Sequence, residues 1–172
     1  MKKSKKIVVI IITIILILVG IYKISGVEER IMFELYEPTR VEKFTNYKED
    51  YKIIADKIFE LKNEKKISNE KSYVIVEKGM MYNAGTFEEI ELTKDEKNSL
   101  LNIDKSFVDK HSPVGTIEIY DDNYVTFFNT DFLFSIVYSK DGKKPSKFGS
   151  NNKKKYKVKK LTSNWFLIET EF

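Results

Sequence analysis

Cysteine is absent from this chain of 172 residues, which contains one histidine, three prolines and seven glycines. Without cysteine the chain cannot form disulfides, a thiolate zinc site or a thiol nucleophile, and no lipid can be attached to a cysteine. A single histidine excludes His-based metal clusters and leaves one candidate for a Ser-His-Asp arrangement. The low glycine and proline content excludes collagen-like and low-complexity proteins. With 42% hydrophobic and 33% charged residues, the composition indicates one folded domain.

A long apolar run is present only near the N-terminus. It extends from Ile7 to Tyr22, interrupted by Thr13 and Gly20, and Ile24 lengthens it. As a helix the run would span roughly 24 Å, slightly less than the hydrocarbon core of a bilayer at about 30 Å. Lysines at both ends can snorkel to the interfaces. The sequence therefore predicts a basic tail in residues 1–6 and a single transmembrane anchor in residues 7–24.

The orientation of this anchor follows from its flanking charges. Four lysines precede the run, whereas Lys23 is soon followed by Glu28 and Glu29, so the positive-inside rule places the N-terminus in the cytoplasm. A cleaved secretory signal is the alternative, but it should have a shorter run and a small-x-small cleavage site, and only weak candidates lie near Ser25. An uncleaved anchor is favoured, and we expect the rest of the chain on the extracytoplasmic side of the cell membrane.

The formal net charge of +4 belongs to this N-terminal segment. Residues 25–172 contain 25 basic and 26 acidic side chains and are almost neutral. Nucleic-acid binding requires a basic face on the folded domain itself, so no nucleic-acid partner is expected.

The remaining chain predicts an α+β fold. Residues 25–45 are expected to form a stalk, and residues 46–172 a single domain in which two helices pack on one face of a meandering antiparallel β-sheet. Helical spacing of apolar residues, with Asn46 as a cap, predicts the first helix up to about Asn63. The second begins at a capping box from Thr93 to Glu96 and is expected to bury Leu100 and Leu101, and also Ile103 and Phe107.

The predicted strands are β-branched or alternating segments separated by turn residues. They cover residues 72–78, 86–92, 115–120, 124–129, 132–138, 156–161 and 165–169. In the second of these, Phe87, Ile90 and Leu92 alternate imperfectly with glutamates. The third and fourth flank the turn Asp121-Asp122-Asn123 and should form a hairpin. Inward-facing side chains are expected at Ile117, Ile119, Val125 and Phe127, and further core aromatics at Phe132, Phe134, Tyr138, Trp165 and Phe166.

Catalytic signatures are weak. His111 lies in Asp109-Lys110-His111-Ser112-Pro113, but neighbouring residues seldom reach triad geometry, and no Gly-x-Ser-x-Gly or Ser-x-x-Lys motif is present. The carboxylate pairs are explained by an exposed strand face, where Glu89 and Glu91 share one side, and by the Asp121-Asp122 turn. The sequence therefore predicts no catalytic residue, metal ligand or cofactor, and a protein that is not an enzyme.

Lysines are concentrated in one segment of the chain near its C-terminus. Residues 140–160, the lysine-rich segment, contain ten lysines against Asp141 alone, while residues 24–139 carry 15 basic and 23 acidic groups. Such a surface could bind polyanions, and the candidate residues are Lys143, Lys144, Lys147, Lys153, Lys154, Lys155 and Lys157. The alternative is a solvated edge strand in which lysines prevent edge-to-edge pairing.

These observations favour a membrane-anchored extracytoplasmic protein-interaction module of a bacterial cell envelope, of an accessory or immunity type, with another envelope protein as its partner. Richness in Lys, Ile, Asn and Tyr is typical of a low-GC bacterium. The first alternative is a binder of anionic wall polymer or lipid head groups through the lysine-rich segment. The second alternative is an envelope hydrolase.

Overall fold

The chain divides into two compact units, Met1–Pro38 and Thr39–Phe172, in the computed structural model. The structure describes residues 12–15, 17, 20, 38–67, 73–106, 114–129, 134–145 and 156–170. In the first unit, residues 12–15, 17 and 20 are helical, and the isoleucines among them are about half exposed. The described residues include no helix of the length and apolarity that crossing a membrane requires. Residues 1–6, most of the predicted anchor, residues 25–37 of the predicted stalk, and His111 lie outside the described residues.

The second unit is an α+β fold, as predicted. Its helices are α1 (described over residues 38–46, with Pro38 counted in the first unit), α2 (Lys48–Asn63) and α3 (Lys94–Ser106). Its strands are β1 (Tyr73–Glu77), β2 (Met80–Asn83), β3 (Val114–Tyr120), β4 (Tyr124–Asn129), β5 (Phe134–Ser139), β6 (Tyr156–Lys160) and β7 (Trp165–Thr170). They form one sheet in the order β2-β1-β3-β4-β5-β7-β6, and every neighbouring pair is antiparallel.

The meander that the sequence predicts is present only in the middle of the sheet, where β3, β4 and β5 follow one another. At one end β2 and β3 lie on either side of β1, and at the other end β5 and β6 lie on either side of β7. Both pairs are parallel because each strand is antiparallel to the strand between them. Parallel strands cannot be joined by a tight turn, and α3 lies in the first of these connections.

The two predicted helices, α2 and α3, pack on one face of the sheet, as predicted, and α1, which falls mostly in the predicted stalk, packs on the same face. The main core cluster combines Phe44 of α1 with buried residues of α2 and α3 and with the strand residues of one face. The opposite face forms a second cluster of strand residues alone: Tyr124, Val137, Phe166 and Ile168. The compact unit begins at Thr39, whereas the predicted start of the domain is residue 46.

Helix α2 buries the side chains that the helical spacing singled out: Tyr51, Ile54, Ala55, Ile58 and Leu61. The predicted cap at Asn46 is wrong. Asn46 is itself helical and belongs to α1, and the residue before α2 is Tyr47, whose side chain makes no capping hydrogen bond. The Tyr47 amide instead donates to the carbonyls of Lys43 and Phe44, because α1 leads directly into α2 through this single turn residue.

The capping box at the start of α3 is confirmed. The Thr93 amide donates to Glu96 Oε2 at 2.7 Å, and the Glu96 amide donates to Thr93 Oγ1 at 3.2 Å. Leu100 and Ile103 are buried, as predicted. The predicted burial of Leu101 is wrong, since its side chain is 44% exposed. Leu101 follows the buried Leu100, and the next position around a helix turns away from the sheet. Phe107 lies outside the described residues.

The β3–β4 hairpin is confirmed, and all four residues predicted to face inward are buried. Its turn places Asp121 and Asp122 at φ values of +55° and +53°. Two consecutive left-handed residues match the twist of a hairpin.

The chain's single tryptophan lies at the centre of the main core. Trp165 contacts the rings of Phe44, Tyr51, Phe127 and Tyr138, with centroid distances of 4.9–6.2 Å. Tyr138, Trp165 and Phe166 are buried as predicted, and Phe132 lies outside the described residues.

The predicted strand at residues 86–92 is wrong. The partner of β1 is β2, which follows β1 after Lys78 (φ +52°) and Gly79 (φ +76°). Residues 86–92 contribute only one isolated bridge, between Glu89 and Tyr82. A lysine in a left-handed turn position gives no sequence signal comparable to Asn-Gly, so the short hairpin was not recognised.

A buried ion pair joins α1 to β7. Arg40 Nη2 donates to Glu169 Oε1 at 2.8 Å, and both side chains are almost fully buried. The Arg40 guanidinium also lies over the Phe134 ring, 5.1 Å from its centroid. Charge pairing and a cation–π contact together offset the loss of hydration of both groups.

Candidate functional site

The segment from Asn83 to Glu91, named here the Phe87 loop, follows β2 at one edge of the sheet. Asn83 organises it. Its Oδ1 accepts hydrogen bonds from the amides of Gly85 at 2.7 Å and Thr86 at 3.3 Å, and its Nδ2 donates to the carbonyl of Lys66. The main chain of Asn83 bonds the amide of Phe87 and the carbonyl of Glu88, at 2.8 and 2.9 Å. These bonds fix the loop in one conformation.

Phe87 is the most exposed large apolar side chain among the described residues, at 69%. Its backbone is left-handed, with φ +60°. For an aromatic residue this conformation costs of the order of 1–2 kcal/mol. The predicted alternation of Phe87 with the glutamates in a strand is therefore not seen, because the tight loop turns the ring outward.

A groove of about 730 Å³ lies between the Phe87 loop and the C-terminal end of α2. Leu61 and Ile90 supply its apolar lining. Lys57, Lys65 and Lys66 line the side formed by the helix end, and Glu88, Glu89 and Glu91 line the side formed by the loop. Phe87 stands between two lining residues, Thr86 and Glu88, without lining the groove itself.

The lysines of the groove are partly neutralised by glutamates that lie outside it. Lys57 Nζ is 3.0 Å from a carboxylate oxygen of Glu60 and 3.5 Å from one of Glu96, and Lys66 Nζ is 2.7 Å from Glu64. Burial alone would lower the pKa of Lys57, but the hydrogen bonds and charges of Glu60 and Glu96 outweigh it and raise the pKa.

The glutamates of the loop have no such compensation. Within the described residues, no lysine or arginine nitrogen lies within 4.0 Å of the carboxylates of Glu88, Glu89 or Glu91, which are all exposed. Glu88 Oε2 accepts a hydrogen bond from Thr86 Oγ1 at 3.1 Å. The loop side of the groove is therefore its negative side.

Comparison with other proteins gives no family assignment. No protein-family model, curated protein or solved structure matches this chain. The chemistry of the site itself is thus the basis for a functional proposal. In the described part of the chain, no three His, Asp or Glu side chains converge so that they could hold a metal ion.

Only three of the seven lysines predicted as a polyanion site lie in the described residues: Lys143, Lys144 and Lys157. All three are exposed. Lys157 lies opposite Glu169 on β7, near the start of β5, whereas Lys143 and Lys144 follow the end of β5. Because the length of a strand separates them, the structure does not gather these three residues into one patch.

Lys143 is held by Asp141, which is the one acidic residue of the lysine-rich segment. Lys143 Nζ lies 2.9 Å from Asp141 Oδ2, and the Lys143 amide donates to Asp141 Oδ1 at 3.0 Å. These bonds, with a further one from the Ser139 hydroxyl, lower the pKa of Asp141 to about 2. Part of the positive charge at this end of the sheet is therefore already neutralised.

Buried hydroxyls and a carboxylate form a polar cluster at the C-terminal end of α3. Tyr51 Oη and Ser106 Oγ are 2.6 Å apart, and burial raises the pKa of Tyr51 far above its ordinary value. Burial also raises the pKa of Asp104, although a hydrogen bond from the backbone of Val114 opposes this effect. A phenol that stays protonated inside the core fixes the packing of α2 against α3 and cannot act as a general base.

The Phe87 loop is not among the sites predicted from the sequence. Two signals were present: Asn83, Gly85 and Thr86 are turn-forming residues in close succession, and the alternation of residues 86–92 was imperfect. Both indicate a hydrogen-bonded loop better than a strand.

Proposed function

We propose that this chain is a membrane-anchored extracytoplasmic protein-interaction module of a bacterial cell envelope, of an accessory or immunity type. The observation that carries the proposal is Phe87, an exposed aromatic side chain held in a strained backbone conformation by a hydrogen-bonded loop. Its partner is another envelope protein.

An exposed aromatic ring on a backbone that is held by hydrogen bonds suits protein recognition. Aromatic residues dominate the binding energy of many interfaces, and a preorganised one loses little conformational entropy on binding. The strain at Phe87 and the exposure of its ring both work against folding stability, so a binding role gives them a physical reason. The exposed polar residues Thr86 and Glu88, on either side of Phe87 in the chain, are of the kind that form the polar rim around such anchors.

The membrane part of the proposal rests on the sequence. The apolar run of residues 7–24 with its preceding lysines favours an anchor whose N-terminus is cytoplasmic. Tethering raises the local concentration of the domain at the membrane surface, so a partner in the same membrane can be bound with modest intrinsic affinity.

Photo-crosslinking in living cells tests the proposed function. A photoreactive amino acid replaces Phe87 in the full chain, and a matched variant carries it at Ile53, a surface position of α2 that is 40% exposed. We expect one dominant envelope protein captured from position 87 and not from position 53. Equal capture from both positions, or none from position 87, would contradict an interaction role for the loop.

Protease accessibility tests the topology. On intact cells stripped of their wall, an external protease should digest the domain while a cytoplasmic control protein remains whole. Protection of the domain until the membrane is opened would contradict the extracytoplasmic placement.

Binding of anionic wall polymer or lipid head groups is the second candidate function. It is favoured by exposed lysines on β6, an edge strand of the sheet, among them Lys157 and Lys159. Such binding should weaken steeply as salt rises, and changing Lys153, Lys154 and Lys155 to Glu should abolish it. Binding that is unchanged in this variant would eliminate the second candidate.

A further inference from the structure

We infer that the groove beside the Phe87 loop binds an extended, basic segment of the partner protein, which adds as a strand along residues 88–91. The inference rests on the proposed function, since it names the chemistry of the partner that the Phe87 loop would recognise. Three properties of the loop carry it: the direction of its backbone groups, its uncompensated charge, and the apolar surfaces on either side.

The backbone of the loop presents an edge for pairing. The Asn83 amide donates to the Glu88 carbonyl at 2.9 Å, and the Ile90 amide donates to the Met81 carbonyl at 2.8 Å. These two bonds enclose the bridge between Tyr82 and Glu89. In such an antiparallel pair the bridging residues direct their amide and carbonyl groups away from each other. The main-chain groups of Glu89 therefore point away from β2, where an added strand can meet them.

The charge of this edge selects a basic segment. Glu88, Glu89 and Glu91 are all exposed, and all three line the loop side of the groove. On the opposite side of the groove, Lys57 and Lys66 already have glutamate partners outside it. Among the described residues Lys65 has no carboxylate within 4.0 Å, so one lysine faces the three glutamates of the loop. Basic side chains of an added strand would face uncompensated carboxylates.

Apolar contacts complete the site. Leu61 and Ile90 line the groove but are themselves buried, so most of the exposed apolar surface beside it belongs to the Phe87 ring. The groove volume of about 730 Å³ falls in the range of about 300–1,000 Å³ that is usual for ligand pockets. An apolar side chain between two basic ones would therefore find a surface to cover, as strand-addition peptides do when their alternate side chains enter pockets.

The test uses the full chain in non-ionic detergent and three synthetic peptides. The first alternates lysine with valine and phenylalanine, the second has glutamate in place of lysine, and the third is the first peptide with alternate backbone amides methylated. Fluorescence anisotropy measures each affinity. We expect the basic peptide to bind at least tenfold more tightly than the acidic one, and methylation to abolish binding because it removes the pairing donors.

Charge-reversal variants locate the binding. Glu89→Lys with Glu91→Lys should lower the affinity for the basic peptide roughly tenfold. Each cross-strand charge pair contributes a factor of about 1.5 to 5 in affinity, and charge reversal adds repulsion. Glu42→Lys with Glu49→Lys changes the net charge equally at exposed positions of α1 and α2 and should leave the affinity unchanged. Glu89→Gln with Glu91→Gln, a milder pair that keeps side-chain volume, should give a smaller loss in the same direction.

Three results would overturn the inference: equal weakening in the helix control, unaltered binding of the methylated peptide, or preference for the acidic peptide. The crosslink from position 87 distinguishes this failure from failure of the proposed function. If the peptides fail while position 87 still captures one envelope protein, the partner binds the Phe87 ring by other chemistry. If position 87 captures nothing, the interaction role itself is wrong.

Discussion

The two edges of the sheet are protected in different ways. At the β2 edge, the Phe87 loop lies along the strand and carries uncompensated glutamates. At the opposite edge, β6 pairs with β7 and with no other strand that the structure describes, and it exposes Lys157, Lys159 and Lys160. Lysines on an edge repel other strands in a general way. The Phe87 loop instead covers the edge of β2 and presents its own edge to solvent. Because the shape and charge of that new edge are defined, it can be selective for a partner.

The largest change in stability is expected for the buried pair of Arg40 and Glu169, which lies on β7 beside the β6 edge. Arg40→Met removes the guanidinium and leaves the Glu169 carboxylate buried, which should lower the free energy of unfolding by about 3–5 kcal/mol. Urea denaturation measures it. The double variant Arg40→Met with Glu169→Met should recover much of the loss, because no lone charge remains buried. An unchanged urea midpoint in the single variant would show that the pair contributes nothing to stability.

At the β2 edge, Asn83→Ala should lower the free energy of unfolding by about 2 kcal/mol. The reason is that several hydrogen bonds to the half-buried side chain disappear together. Amide hydrogen exchange should accelerate at Gly85 and Thr86. Asn164→Ala is the matched control. Asn164 donates to the Ser139 carbonyl at 2.8 Å, at the end of β5, so its loss should leave Gly85 and Thr86 protected. Equal acceleration in both variants would contradict a local role for Asn83.

Phe87→Gly should raise the free energy of unfolding by a few tenths of a kcal/mol to about 1 kcal/mol, since relief of left-handed strain outweighs the extra entropy of glycine in the unfolded chain. With the photoreactive amino acid moved to the exposed position of Glu88, this variant should no longer capture the partner. Lys78→Gly relieves similar strain in the β1–β2 turn and should preserve capture. If Phe87→Gly destabilises the protein, the ring has a packing role, and its exposure needs another explanation.

The smallest expected effect is on the pH dependence of stability. It concerns Asp141, whose pKa is held at about 2 by Lys143. Because this pKa is lower in the folded than in the unfolded chain, the stabilising contribution of Asp141 is present above pH 3.8 and is lost as the pH falls towards 2. In Lys143→Met, the pKa should rise towards 3.8, as measured by NMR titration of the carboxyl carbon. Lys144→Met removes the same charge one residue further along and should leave the pKa in place. A rise of similar size in both variants would indicate general charge screening.

Sequence patterns predicted those parts of the fold that depend on periodic burial. The spacing of Tyr51, Ile54 and Ile58 defined α2, and alternation defined the β3–β4 hairpin, because each pattern corresponds to one buried face. The capping box was equally informative, since two side chains satisfy specific amides. These features depend on residues that are close in sequence.

Features that depend on distant contacts or unusual backbone angles were not predictable. Strand β2 is short and follows a turn in which Lys78 adopts a conformation that glycine or asparagine usually occupies. The exposure of Phe87 follows from bonds that Asn83 makes to both its own loop and Lys66. The separation of Lys157 from Lys143 depends on the sheet order, because β7 lies between β5 and β6.

Trp165 gives the chain an intrinsic optical reporter. Its indole contacts aromatic rings from α1, α2, β4 and β5, and the sequence contains no second tryptophan to obscure its emission. Its emission maximum will shift to longer wavelength only when solvent reaches the place where these elements meet. A variant that loosens the Phe87 loop alone will therefore keep its native spectrum, so one spectrum separates damage to the loop from collapse of the core.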